Sequence, residues 1–178
     1  NLLPDIYWYS GLEQQWQPGE KGAAKRLSTF LKSAINAYSQ DRNIPAIKGS
    51  SLLSPHLHFG EISPHQVWDA LQSIEHNTNT DTFCSQLGWR EFSYHLLYHH
   101  PKIPEKNLRP NFDKFPWVDD TSGLKAWQAG QTGVPMVDAG MRQLWQTGYM
   151  HNRVRMIVAS FLVTYPLVIL WNFLATYL

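Results

Sequence analysis

The run His151-Asn152-Arg153-Val154-Arg155 gathers hydrogen-bond donors into one turn at the mouth of an apolar stretch. Two guanidiniums beside a carboxamide suit an anion, a flavin ring or a DNA phosphate; they equally suit an N-cap followed by two solvated arginines. A second run, Gly49-Ser50-Ser51-Leu52-Leu53-Ser54-Pro55, sets hydroxyls and backbone N–H groups ahead of a helix start. Such a run can cradle a pyrophosphate, because unpaired N–H donors favour anions, although serines there most often serve as caps. A third group, Gln86, Trp89 and Arg90, brings an amide, a broad π surface and a guanidinium to one segment. It fits either a stacked aromatic ligand or a packed helix with an arginine–carboxylate pair.

The chain has 8 histidines, which raises the question of a metal. His56 and His58 are one residue apart, and His95 and His99 are spaced i, i+4 with His100 adjoining. No cysteine pair or HExxH pattern accompanies them. The expectation is therefore no metal, with histidines on the surface or at helix caps.

Apolar periodicity supplies the elements that must hold these groups. Ala24, Leu27, Phe30, Leu31, Ile35 and Tyr38 recur at helical spacing, predicting a helix over 21–38. Phe83, Leu87, Arg90, Tyr94 and Leu97 predict another over 82–100. Val137, Met141 and Leu144 form a stripe at i, i+4 and i+7, with Asp138 and Arg142 paired on another face and Gly148 suited to a left-handed stop. Asn152 then reads as the N-cap of a helix carrying Val154, Ile157, Val158, Phe161 and Leu162. Residues 1–18 read as an irregular, aromatic-rich lead-in. The segment 38–64 reads as loop with a short helix inside. Residues 101–117 form a proline-punctuated connector that leads through Asp119, Asp120 and Gly123 into a short helix. The fold class is all-α.

Bulk properties exclude more than they select. A chain of 178 residues, 43% hydrophobic and 13% aromatic, suits one domain with a core and argues against disorder. A net charge of +1 means that any nucleic-acid surface is a local patch. The single cysteine, Cys84, precludes an internal disulfide and suits a reducing cytoplasm, and no signal peptide opens the chain. A start at Asn1 without Met fits a fragment or a processed product. No charged residue follows Arg155, so the tail meets the length rule for a membrane span, but Thr164, Pro166, Asn172 and Thr176 weigh against one.

The long ordered run from Thr132 to Val163, TGVPMVDAGMRQLWQTGYMHNRVRMIVASFLV, resembles the flavin-domain signature of the DNA photolyase and cryptochrome family, near the class I cyclobutane pyrimidine dimer photolyases. The likeness extends back to about Trp16. It implies a helical bundle over 1–178 forming the amino-terminal portion of the FAD-binding domain, cut short at both ends, without the α/β antenna domain and with an atypical tail at 164–178. The family's Gly-Thr-Ser-x-Leu-Ser-Pro flavin segment is similar to Gly49 to Pro55, with Ser50 where Thr is usual.

By resemblance, a non-covalent, U-shaped FAD contacts Tyr38, Ser50, Ser51, Leu52, Leu53, Ser54, Phe83, Arg90, Asn152 and Arg155. DNA containing a pyrimidine dimer faces Arg42, Gln86, Trp89, Asn152 and Arg153. Trp89 is implied as the wall on which a flipped-out dimer stacks, which recovers part of the unstacking cost. Trp117 is implied as the outer member of an electron-passing tryptophan chain, and Trp171 as a further member if Pro166 is an insertion. Gln86 stands where class I photolyases usually carry glutamate. It keeps the hydrogen bonds to a lesion but offers no carboxylate, so binding is expected to survive better than repair.

The implied activity is light-driven splitting of pyrimidine dimers by a cytoplasmic lyase, a monomer when complete. This segment is expected to be incomplete and inactive alone, because the family's remaining pocket residues fall past Leu178. A cryptochrome-type blue-light photoreceptor and a membrane-associated helical remnant are the alternatives.

Overall fold

The computed structural model describes residues 9–118 and 120–164, and among these every regular element is helical. The chain divides into two compact units, 1–89 and 90–178. The boundary falls inside one helix.

In the first unit, α1 (Ser10–Gln15) and α2 (Glu20–Lys32) precede a 3-10 turn at Ala34–Ala37 and the single turn α3 (Tyr38–Asp41). Then come α4 (Ser54–His58), α5 (Pro64–Gln72) and α6 (Thr78–His99). Ala23, Leu27 and Phe30 from α2 meet Val67 and Leu71 from α5 and Phe83 and Leu87 from α6, with Ile35, Tyr38, Leu53 and Ile62 completing this core. The start of α5 is written locally: Ser63 accepts from the Gln66 N–H at 3.1 Å while the Gln66 side chain accepts from the Ser63 N–H at 2.7 Å. This reciprocal capping box satisfies two helix-end donors.

In the second unit, α7 (Thr121–Gln128), α8 (Pro135–Thr147) and α9 (Asn152–Thr164) enclose Trp127, Val137, Met141, Met150, Val154, Val158 and Leu162. The buried Trp127 indole N–H donates to the Val158 carbonyl at 3.1 Å. Gly140 permits the α8–α9 approach, since a Cβ there would stand 2.5 Å from a Val154 methyl.

Several sequence expectations are corrected. The lead-in contains α1, and Trp16 beyond it lies under the Arg26 guanidinium at 4.7 Å. The helix expected over 21–38 ends at Lys32, with Ala23 rather than Ala24 in the core. The break has a partner: Asn79 accepts from the Ser39 N–H at 2.9 Å and donates to the Asn36 carbonyl at 2.7 Å, competing with helical bonding. The helix expected from Thr82 begins at Thr78, because Asn77 Oδ1 accepts from the N–H groups of Asn79 and Thr80.

Asp138 and Arg142 do not form the expected pair. Asp138 accepts from Thr132 and Gly133, while Arg142 donates to the Gly130 carbonyl at 2.7 Å, so both brace the turn before α8. Gly148 ends α8 in the left-handed conformation, as its type predicts. On α9 the buried stripe is Val154, Val158 and Leu162, leaving Ile157 exposed.

No helix among the described residues is long and apolar enough to cross a membrane. Trp171 and the uncharged tail beyond Thr164 lie outside the described residues, as does Asp119.

Candidate functional site

The first unit brings Tyr38, Phe83, Arg42 and Gln86 into one neighbourhood. Tyr38, on α3, is buried and meets Phe83 of α6 edge to face at 5.2 Å and Phe30 of α2 at 5.5 Å. The Arg42 guanidinium, one residue past α3, lies 5.4 Å from the Tyr38 ring. Its Nη2 also donates to Gln86 Oε1 at 3.0 Å, and Gln86 in turn donates to the Thr82 carbonyl of its own helix. Trp89, on the same helix, is 63% exposed, which leaves much of its π surface open to solvent.

The serine run starts against α3. Gly49 is buried, and a Cβ on it would stand 2.7 Å from the Asp41 carbonyl carbon, so only glycine fits. Leu52 follows at φ 54, the one non-glycine with positive φ among the described residues. Leu53 returns to the right-handed region at φ −87, ψ −10 with its side chain fully buried. A left-handed residue followed by a right-handed one turns successive N–H groups toward a common concavity, the geometry of an anion nest. The hydroxyl of Ser51 reaches the Leu53 N–H at 3.4 Å. Holding leucine in the left-handed region costs roughly 1–3 kcal/mol, and such strain concentrates at ligand-binding turns. Sequence reasoning found these serines; nothing in the residue types announced the Leu52 conformation.

Reasoning from sequence also missed His56. It was expected at the surface or as a cap, but it is 2% exposed, because its Nδ1 lies 2.5 Å from Glu61 Oε2 and that bond makes burial tolerable. The other Glu61 oxygen accepts from the Gly19 N–H at 2.7 Å. The hydrogen bond from His56, then that from Gly19, hold the Glu61 carboxyl below its ordinary range.

In the second unit, the donor cluster occupies the first turn of α9. Asn152 is its first residue rather than its cap; the buried His151 caps, its Nδ1 accepting from the Arg153 N–H at 3.2 Å. Asn152 and Arg153 are exposed, whereas Arg155 reaches the Met150 carbonyl at 3.4 Å. Arg90, on α6, donates to the Tyr94 hydroxyl at 2.7 Å and stacks on its ring. Trp117 is half-buried, donates to the Phe112 carbonyl at 3.0 Å and lies 4.8 Å from the Phe115 ring. Among the described residues no three His, Cys, Asp or Glu side chains gather as a metal site.

Residues 83–178 match the family model described as the FAD binding domain of DNA photolyase. The deoxyribodipyrimidine photo-lyase of Agrobacterium fabrum is 51% identical over 164 residues, covering 90% of this chain and 34% of that protein. Cryptochrome-2 of Arabidopsis thaliana is 39% identical over 166 residues, covering 88% of this chain and 27% of that one. The crystal structure of a class III photolyase from Agrobacterium tumefaciens superposes with a TM-score of 0.92 at 47% identity, over 96% of this chain and 36% of that chain. The similarity thus takes in a class III photolyase and a plant cryptochrome. The chain spans about a third of the length of these relatives.

Proposed function

Because this chain belongs to the DNA photolyase and cryptochrome family, we propose that it forms the part of a flavin pocket that receives the FAD pyrophosphate and one wall of the adjoining DNA lesion site. The observation that carries this reading is the Gly49 to Ser54 turn. Gly49 is seated flush on Asp41, Leu52 is left-handed, and the turn carries serine hydroxyls. Its shape fits a diphosphate better than it fits a plain helix cap, since a cap needs no left-handed leucine.

Reduced FAD, bound there, supplies a light-driven electron for splitting a pyrimidine dimer. The chain's own residues bind and orient. Ser50, Ser51, Leu52, Leu53 and Ser54 hold phosphate oxygens through N–H and hydroxyl donors, and Tyr38 and Phe83 form a fixed aromatic floor beside them. In the second unit, the family resemblance assigns Arg90, Asn152 and Arg155 to the cofactor. Trp89 offers a stacking face to the two linked bases of an extruded dimer, and Gln86 an amide to their carbonyl edges. The resemblance assigns Arg42 of the first unit, and separately Asn152 and Arg153 of the second, to contacts with DNA. The family resemblance assigns Trp117 to the outer end of an electron-passing tryptophan chain, and Trp171 to the same chain if Pro166 is an insertion. The location that fits this reading is the cytoplasm.

The test is direct. Titrating this chain with FAD should give weak, saturable binding, and irradiated oligothymidylate should remain unrepaired under blue light. An absorbance spectrum of the purified chain with stoichiometric flavin would contradict the weak-binding half. Repair of the oligothymidylate would contradict the other.

A second reading is favoured by one residue. Gln86 supplies no carboxylate, and its oxygen is already engaged by Arg42, which suits a blue-light photoreceptor that signals through a partner. Dimer repair by the longer protein that contains this segment decides between the two.

A further inference from the structure

Each end of the serine turn is anchored, and the anchor at its far end involves a pair of side chains that the flavin reading does not use. At the near end Gly49 sits against the Asp41 backbone. At the far end the turn runs into α4, and His56 lies two residues beyond Ser54. The His56 ring is buried at 2% exposure, with Nδ1 2.5 Å from Glu61 Oε2. A carboxylate only accepts, so Nδ1 carries the hydrogen. The backbone doubles the link: the Glu61 N–H donates to the His56 carbonyl at 2.9 Å. Glu61 Oε1 then accepts from the N–H of Gly19, which stands at φ 92 immediately before α2. One carboxylate therefore ties α4 to the start of the helix that carries Leu27 and Phe30 into the core.

A purely packing role would not need this arrangement. A buried histidine with one ring nitrogen bonded and its Nε2 without a hydrogen-bond partner among the described residues is an expensive way to fill a core. An apolar side chain of similar volume would avoid that cost. What the pair adds is a link. It ties α4, two residues past Ser54, to the backbone just before α2.

We propose that His56 and Glu61 act as positioning residues that hold the Gly49 to Ser54 turn in its diphosphate-binding shape, through the Glu61 bridge to Gly19. This inference rests on the flavin reading above, specifically on the turn being a diphosphate cradle. Neither side chain touches the ligand; both act through the backbone of α4.

The test compares ADP with adenosine, which differ only by the diphosphate, in NMR titrations of the whole chain. The unaltered chain should prefer ADP by about tenfold, the value of one or two charge-assisted hydrogen bonds in a half-exposed site. Glu61→Ala and His56→Phe should reduce that preference by more than about twofold, and His56→Asn, which keeps a donor near Nδ1, should restore it. Adenosine binding should stay unchanged, which a general loss of structure would not allow. If the unaltered chain shows no preference for ADP, the cradle reading fails and the positioning role with it. If it shows the preference but both disruptive variants keep it within about twofold, the cradle stands and the positioning role is overturned. If Glu61→Ala and His56→Phe both lack a cooperative thermal transition, the pair is a structural element of the unit and the proposal is likewise overturned.

Discussion

Arg42 Nη2 donates to Gln86 Oε1 at 3.0 Å, joining two residues 44 positions apart, one at the end of a single helical turn and one in the middle of the long helix α6. A guanidinium bonded to a neutral amide gains less than it would from a carboxylate, but both groups remain half-buried and ordered. A double-mutant cycle with Arg42→Ala and Gln86→Ala, read by urea unfolding, should give a coupling of about 1 kcal/mol. Gln86→Glu should add at most about 1 kcal/mol, because a half-exposed ion pair is screened by solvent. A coupling below roughly 0.3 kcal/mol would mean that the bond has no energetic content.

How much of this was legible beforehand follows from where each signal resides. The α8 stripe and the Gly148 stop rest on residue type and local spacing, and both are found as expected. The break after Lys32 depends on Asn79, more than forty positions away in sequence, and no local pattern encodes a partner at that distance. The Asp138–Arg142 spacing is correct for a pair, yet the turn at Thr132 to Gly133 offers Asp138 three nearer donors. The Ser50 to Ser54 run was recognisable as hydroxyl-rich, whereas the fold alone reveals that Leu52 is left-handed and that His56 and Glu61 lie behind it.

Leu52 separates the cradle from an ordinary cap. Proline there would force φ near −65° and remove an N–H, so Leu52→Pro should weaken FAD binding by about tenfold or more. Leu52→Gly relieves strain of about 1 kcal/mol but gives up part of a half-buried leucine, a loss of similar size. It should therefore leave stability within about 0.5 kcal/mol and retain the binding. Equal loss in both variants, measured by flavin fluorescence quenching, would detach the backbone shape from ligand affinity.

Acid should unfold the first unit through Glu61. Its carboxyl lies below the ordinary 4.5 in the folded chain because His56 and Gly19 donate to it. A depressed folded value means that the unfolded chain binds the proton more readily, so the stabilisation is fully present above the ordinary value and lost as pH falls through the folded one. Asp138, held below 3.8 first by the Thr132 hydroxyl and also by the N–H groups of Thr132 and Gly133, acts in the same direction in the second unit. Thermal melts from pH 6 to about pH 3 should show a declining midpoint, with a shallower decline in Glu61→Gln. A parallel decline in that variant would remove Glu61 as a cause.

Gly140 should resist replacement despite its place inside a helix. Alanine is favoured over glycine there by about 1 kcal/mol on propensity. Its methyl, however, would stand 2.5 Å from Val154 Cγ1 and 3.0 Å from Val158 Cγ2. Both valines are β-branched and restricted in rotamer on α9, so relief requires the helices to separate, at about 1–3 kcal/mol. Gly140→Ala should therefore be destabilising by about 1 kcal/mol in denaturant unfolding. A stabilised variant would show that α8 and α9 are less tightly opposed than their spacing indicates.

Trp89 gives the sharpest separation between a structural and a recognition role. At 63% exposure its indole buries little apolar area, so Trp89→Ala should change stability by less than about 1 kcal/mol. An indole that stacks against an extruded lesion contributes about 1–3 kcal/mol per base, so the same substitution should weaken binding to an oligonucleotide containing a thymine dimer about fivefold to a hundredfold. Trp89→Phe keeps a smaller aromatic face and should fall between the two. Affinity for undamaged duplex, which depends on phosphate contacts, should respond much less. If the alanine variant binds damaged and undamaged DNA with the same ratio as the unaltered chain, Trp89 is a solvent-exposed residue of α6 with no part in reading the lesion.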